Sequence, residues 1–228
     1  MSSPRILGHR GASSVRKENT LEAFLLAGEL GGDGVELDVR RTADGALAVH
    51  HDANLEDGRL IVDLPVASLP PYVPQLRDVL LACAGMYVNI EIKNVPIDAD
   101  WDPGESVAGA VAALVDELGI AGSVIVSSFG LAAINAVRDV NPAIPTAWLT
   151  IPNYDQLRAI DTAVEHGHIA LHPHFTVVTK ELIDAADAAG IVVNTWTVDD
   201  PEQMKRVADL GVASIVTNDV ALAVATLR

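Results

Sequence analysis

Eight short runs rich in β-branched residues recur along the chain, at 5–9, 35–39, 87–93, 124–127, 146–149, 169–172, 192–196 and 214–217, with helical signals between them. This alternation constrains the fold more than any other feature. Divided among 228 residues it allots roughly 28 to each unit, the size of a compact strand–helix pair. Apolar strands separated by helices form a parallel sheet covered by helices, and eight such units favour a closed (β/α)8 barrel over an open sheet. Helix punctuation agrees. Asn19 is placed to cap a helix beginning Thr20-Leu21-Glu22, with Glu22 as capping-box partner. Pro201-Glu202 opens another, and Gly119, Gly190 and Gly211 fall where helix C-termini belong. The turn Gly8-His9-Arg10-Gly11 lacks the G-x-G-x-x-G spacing of a dinucleotide fold. The proline-rich segment 64–74 reads as a loop or small insertion, so residues 1–228 are expected to form a single domain.

A ninth extended run, 46–51, follows the second strand through Thr42-Ala43-Asp44-Gly45, a strong hairpin signal. With Asp44-Gly45 as a two-residue loop, Asp38 lies opposite His51 and Glu36 falls on the same face. A four-residue loop would pair Glu36 with His51 instead, whereas a three-residue loop would break the arrangement.

The active end of such a barrel is the C-terminal end of its strands. Polar residues collect there: His9 and Arg10 after the first run, Glu36 and Asp38 on the second, Glu91 and Lys93 on the third, and His51-Asp52 on the hairpin. Alternate strand residues share a face, so Glu36 points with Asp38 and Glu91 with Lys93. Three carboxylates in one small volume repel and raise each other's pKa values. A cation with hard oxygen ligands, Ca²⁺ or Mg²⁺, resolves that conflict. The plainer alternative is a set of carboxylates salt-bridged to Arg10, Arg40 and Lys93. Arg10 and Lys93 also suit a phosphate, and His9 and His51 can supply an acid and a base near neutral pH. Together these groups suggest phosphodiester cleavage.

Composition narrows the partners. Fifteen Lys plus Arg against 31 Asp plus Glu give a formal net charge of −16, which disfavours nucleic acid and anionic membranes. At 50% hydrophobic residues the chain is not disordered. The lone Cys83 excludes an internal disulfide and reads as a buried thiol. The start Met1-Ser2-Ser3-Pro4-Arg5 carries no signal-peptide pattern, and no apolar stretch reaches about 18 residues. A cytoplasmic protein without a transmembrane segment is expected. The histidines of 166–174 alternate, but no Cys or nearby carboxylate completes a transition-metal set. They read as surface or rim residues, with His172 within reach of the mouth.

The motifs His9-Arg10-Gly11, Glu18-Asn19-Thr20, Glu36-Leu37-Asp38, His51-Asp52 and Ile90-Glu91-Ile92-Lys93 resemble those of the glycerophosphodiester phosphodiesterase family. Ser127-Ser128-Phe129, Trp196-Thr197-Val198 and Gly211-Val212 through Ile215-Val216-Thr217 continue the resemblance in order along nearly the whole chain. It implies a TIM barrel in which a hairpin and an insertion replace the helix after the second strand. It also implies metal-dependent release of sn-glycerol 3-phosphate and an alcohol, with attack by the substrate's own glycerol 2-hydroxyl. Carried over, Glu36, Asp38 and Glu91 would hold Ca²⁺ or Mg²⁺, His9 and His51 would be the acid–base pair, and Arg10 and Lys93 would grip phosphate. Glu18 would support the site and Trp196 would line the glycerol side.

Three departures stand out. Segment 52–73 is shorter than the family's usual insertion, Lys17 replaces a proline and could add a cation near the mouth, and Thr217-Asn218-Asp219-Val220 replaces a Thr-Asp followed by Pro. The last is expected to be structural. A lysophospholipid-directed enzyme is the alternative substrate reading, favoured if Leu60, Ile61, Val62, Leu69 and Tyr72 form an exposed apolar rim. A non-catalytic phospho-ligand-binding barrel is the other alternative.

Overall fold

The second strand does two jobs. In the computed structural model, which describes residues 3–228, β2 (Gly34–Arg41) pairs in parallel with β1 (Arg5–His9) through residues 34–36. Its C-terminal end then pairs antiparallel with the short β3 (Leu47–Val49). The remaining strands are β4 (Tyr87–Ile92), β5 (Val124–Ser128), β6 (Thr146–Thr150), β7 (Ala170–Pro173), β8 (Val192–Thr195) and β9 (Ser214–Thr217). They run β1-β9-β8-β7-β6-β5-β4-β2, and the β1–β2 pairing closes an eight-stranded parallel TIM barrel. The expected runs match within one or two residues. Met1 and Ser2, which head the segment read as lacking a signal peptide, lie outside the described residues. Among those described, no helix is long and apolar enough to cross a membrane.

Period-two alternation in the strands explains both layers. Ile6, Val35, Leu37, Val39, Ile90, Ile92 and Val126 point outward into a core closed by the helices, and all are fully or almost fully buried. His9, Glu36, Asn89, Glu91, His172, Asn194 and Val216 line the barrel's central cavity. The helices are α1 (Leu21–Glu29), α2 (Leu76–Ala82), α3 (Ser106–Leu118), α4 (Leu131–Val140), α5 (Gln156–Glu165), α6 (Lys180–Ala189), α7 (Pro201–Leu210) and α8 (Val220–Leu227). Gly119, Gly190 and Gly211 end α3, α6 and α7 in the left-handed conformation, as expected. Cys83 is buried, and burial pushes its thiol up to about 12.

Three local expectations are corrected. Thr20, not Asn19, caps α1, its hydroxyl accepting from Ala23 N at 3.2 Å. The helix that the family resemblance implied to be replaced survives as α2, seven residues following the hairpin and two 3-10 turns. The hairpin register also differs from both favoured alternatives. Val39 pairs with Val49, and His50 N donates to Asp38 O at 3.0 Å, so His50 rather than His51 lies opposite Asp38. The cause is a three-residue turn. Thr42 and Ala46 pair, the Thr42 hydroxyl accepts from Ala46 N at 2.9 Å, and Gly45 takes the left-handed position at φ +78.

Segment 52–73 does not form an exposed apolar rim. Ile61 is fully buried in a small cluster with Ala48, Leu55 and Val73, against which Leu64, Leu69 and Tyr72 pack.

Candidate active site

The carboxylates converge because β2 and β4 run in register. Asp38 lies beside Glu91 and Glu36 beside Asn89, and one oxygen from each of Glu36, Asp38 and Glu91 falls within 4.8 Å of the others. All three side chains are buried. Among the described residues this is the one cluster of its kind.

Cations surround it. Lys93 Nζ stands 3.1 Å from Asp38 Oδ1 and bonds Glu91, while Arg10 Nε lies 3.2 Å from Asp38 Oδ2. Arg10 also donates through its backbone to Glu36 Oε2 at 2.9 Å and through Nη1 to Glu18 at 2.9 and 3.0 Å. Arg40, the other candidate partner, turns away: it pairs with Asp100 at 2.6 Å and donates from Nε to His51 O at 2.7 Å. It thus anchors the hairpin's end instead of neutralising the site. Lys17 adds no free charge, since its ammonium pairs with Glu56 and lies 3.5 Å over the Tyr72 ring.

These contacts separate the carboxylates electrostatically. Burial raises the Glu36 pKa well above its usual range, and the charges of Asp38 and Glu91 add to the effect. Burial acts on Asp38 in the same sense, but Lys93 and Arg10 overrule it and hold that carboxyl at about 2. Glu91 is raised, burial outweighing Lys93. Burial disfavours the charged Lys93, yet Glu91 and Asp38 raise its pKa above the ordinary value. Glu36 Oε1 is buried without any partner, and Asp38 Oδ1 has only the Lys93 ammonium beside it. Three carboxylates that face one another, one with an oxygen left unpartnered, suit a hard divalent cation, so the residues present fit one.

The two imidazoles are held alike. His9 Nδ1 lies 2.7 Å from Asn218 Oδ1. The Asn218 amide is oriented by Asp199, to which its Nδ2 donates at 2.6 Å, so its oxygen faces His9 and the His9 proton sits on Nδ1. His51 Nδ1 donates to Asp52 Oδ1 at 2.7 Å. Each ring is left with Nε2 as its reactive nitrogen. Burial lowers both pKa values; the Arg10 charge adds to this at His9, while at His51 Asp38 opposes it. His51 reaches the site because β3 ends at Val49 and the chain leaves the sheet, so its ring no longer obeys strand parity. His9 opens onto the central cavity, His51 onto an outer cleft of about 470 Å³, and Glu91 lines both.

Trp196 completes the mouth. Its Nε1 donates to His172 O at 2.8 Å, and its ring meets Phe129 edge-on at 5.5 Å. Of the remaining histidines, His166 is exposed and His174 lies at the rim as expected, whereas His168 and His172 are more deeply buried than a surface or rim reading allows. His172 is buried in the central cavity, where its Nε2 lies 2.8 Å from the Asn194 amide. His168 is buried beside the Thr146 hydroxyl at 2.8 Å, and His174 packs on Trp196 at 5.1 Å.

Sequence reasoning missed two contacts. Asn19, read as a helix cap, sits at φ +56 and donates from Nδ2 to Asp38 Oδ2 at 2.8 Å. The signal was its place in Glu18-Asn19-Thr20, directly after the site residue Glu18. Asn218, expected to be structural, touches His9 from 209 residues away, and nothing in the local sequence signals that contact.

A closed (β/α)8 barrel with carboxylates, cations and imidazoles gathered at its C-terminal mouth is an arrangement suited to cleaving a phosphoric diester. The sequence profile of the glycerophosphoryl diester phosphodiesterase family matches residues 9–222, and the chain belongs to that family. A glycerophosphodiester phosphodiesterase of Caldanaerobacter subterraneus subsp. tengcongensis is 29% identical over 234 residues, spanning 94% of this chain and 93% of the relative. The crystal structure of a glycerophosphodiester phosphodiesterase from Thermotoga maritima superposes with a TM-score of 0.85 at 27% identity, covering 100% of both chains. An Oleispira antarctica phosphodiesterase, solved with its product sn-glycerol-3-phosphate, shares the fold at a TM-score of 0.84 and 22% identity, over 98% of this chain and 96% of that one. The chain is therefore an enzyme, not a non-catalytic barrel.

Proposed function

We propose that residues 1–228 act as one catalytic domain that hydrolyses glycerophosphodiesters to sn-glycerol 3-phosphate and an alcohol. The observation that carries the mechanism is the pair of imidazoles, each tied down through Nδ1, opening onto different sides of the acidic cluster. Glu36, Asp38 and Glu91 would hold Ca²⁺ or Mg²⁺, which when bound neutralises charge on the phosphate's non-bridging oxygens. Arg10 and Lys93 grip the same phosphate, and Glu18 keeps the Arg10 guanidinium oriented. Trp196 and His9 stand together at the rim of the narrow central cavity, which supports reading the glycerol at that side of the mouth. His9 Nε2, kept free of the proton by the Asn218 bond, accepts the proton of the glycerol 2-hydroxyl as that oxygen attacks phosphorus. His51, steadied by the Asp52 carboxylate, protonates the departing alcohol on the outer side. Water then opens the cyclic phosphate with the two roles reversed. With a net charge of −16 the chain would admit a small anionic substrate best with a cation offsetting the acidic cluster, and a cytoplasmic site of action is part of this reading.

The test is incubation with glycerophosphocholine and glycerophosphoethanolamine, with Ca²⁺, Mg²⁺ or EDTA. Release of glycerol 3-phosphate should require metal and fall about 10²- to 10⁴-fold in His9→Ala and in His51→Ala. A glycerophosphodiester with a nitrophenol leaving group needs no acid, so it should rescue His51→Ala but not His9→Ala. Full activity in the double histidine variant would sink the mechanism.

A further inference from the structure

The outer cleft runs between the hairpin's end, from His51 to Asn54, and the loop that follows β4, from Val95 to Ala99. Arg40 joins the two. Alternation from Glu36 and Asp38 puts Arg40 on the same inward face of β2, nearer the mouth, but its guanidinium reaches sideways instead of joining the acidic cluster. Nε donates to His51 O at 2.7 Å and Nη1 to Asp100 Oδ1 at 2.6 Å, with Asp98 Oδ2 3.6 Å away. The Arg40 and Asp100 side chains are both buried, so water competes little for these bonds. Asp100 is itself fixed. Asn94, buried at the loop's base, donates from Nδ2 to Asp102 O and accepts from Asp102 N, both at 2.8 Å, which closes the loop like a pair of strands. Asp98 N donates to Val95 O at 2.8 Å and Trp101 N to Asp98 O at 3.2 Å, so the turn bearing Asp100 is bonded on both sides.

This brace matters because His51 has left the sheet. His50 N still bonds Asp38 O, but beyond it the chain bonds to its own insertion: Ile61 N donates to Ala53 O and Asn54 Nδ2 to Gly58 O, both at 2.9 Å. Asp52 holds the His51 ring, yet it belongs to the same segment and moves with it. The Arg40 bond to His51 O refers that segment back to β2, and through Asp100 to the loop that starts directly after Lys93. We infer that Arg40 and Asp100 are a positioning pair for the acid: they keep His51 Nε2 at a fixed reach from the phosphate gripped by Lys93, and touch no reacting atom themselves. The inference rests on the proposed role of His51 in protonating the departing alcohol. In that step the proton passes from Nε2 to the head-group oxygen as its bond to phosphorus breaks. A displacement of the imidazole by about 1 Å slows this transfer and leaves phosphate binding alone.

The experiment replaces the pair by apolar residues, Arg40→Met with Asp100→Leu, a change that buried ion pairs often tolerate without loss of stability. Cleavage of glycerophosphocholine should show kcat lower by about tenfold to a hundredfold with KM little changed. First-turnover release of nitrophenol from the nitrophenyl diester, which needs no acid, should change less than about threefold. Arg40→Lys keeps a charge for Asp100 but lacks the fork that reaches His51 O, so it should lose kcat in the same substrate-dependent way. Asp100→Asn keeps an oxygen for Nη1 and should recover most of the rate. In a His51→Ala background the double substitution should cost nothing further, because no acid remains to be placed. Equal losses on the two diesters, full activity of the double variant, or an additive loss with His51→Ala overturns the inference. NMR relaxation of the His51 ring Cε1–H needs no turnover. The ring should be rigid in wild type and fall to an order parameter below about 0.6 in the double variant, with His9 unchanged. A ring that stays rigid overturns the inference, and a loosened one upholds it even if no diester is cleaved, which separates failure of the brace from failure of the catalytic reading.

Discussion

His172 should control how the protein tolerates acid. Its ring is buried inside the barrel, and burial pushes its pKa down from 6.5 to about 3. In the unfolded chain the same imidazole titrates at its ordinary value, so below pH 6.5 the unfolded state takes up a proton that the folded state refuses. The contribution is therefore fully present above pH 6.5 and lost progressively as the pH falls towards 3. At ~1.4 kcal/mol per pH unit, stability falls by about 2 kcal/mol between neutrality and pH 5, and by about 4 kcal/mol at pH 3, where the folded-state ring is itself half protonated. His168, lowered to about 4 by burial, then by Arg138 and His166, acts in the same window and is common to wild type and variant. His172→Gln keeps an acceptor for the Asn194 amide but cannot be protonated. Urea unfolding in EDTA at about pH 7.5 and pH 5 should show the variant losing about 2 kcal/mol less than wild type between the two conditions. Comparing differences removes any pH-independent packing cost of the substitution. Equal losses in the two proteins would refute the reasoning.

Two further outcomes follow from contacts at the mouth. Asn218→Ala removes the acceptor that keeps the His9 proton on Nδ1, so kcat should fall roughly tenfold to a hundredfold with KM little changed, as steady-state kinetics would show. In thermal unfolding, Ca²⁺ or Mg²⁺ at about a hundred times its Kd should stabilise the protein by ~2.7 kcal/mol. Glu36→Gln should abolish that shift while stabilising the metal-free protein, because it removes a buried carboxyl crowded by Asp38 and Glu91.

Much of this site was legible from strand parity. Glu36 with Asp38, and Glu91 with Lys93, could be placed on one face because period two is a property of the backbone itself. Their adjacency followed from the order of the barrel's units. The His51 expectation reached a sound location by a wrong route. The hairpin turn has three residues, so cross-strand pairing delivers His50, and His51 arrives only because the strand stops at Val49 and Arg40 holds the chain beyond it. One residue of loop length inverts the parity, and two hydrogen bonds of Thr42 decided that length. Asn19 was misread because its local context is that of a helix cap, and only the packing of its loop against β2 turns its amide to Asp38.

By itself the sequence determined the number of βα units, the outward apolar layer, and the identity and shared face of the carboxylates. All of these depend on short-range periodicity and composition. Tertiary structure alone decided which cation serves which acid, sending Lys93 and Arg10 to Asp38 and Arg40 to Asp100. It also brought Asn218 to His9 and moved the exposed apolar surface from 60–73 to a groove around Ile97 and Ile151. Those features arise where loops from different units meet over the mouth. Their geometry depends on barrel closure, which no local stretch of chain encodes.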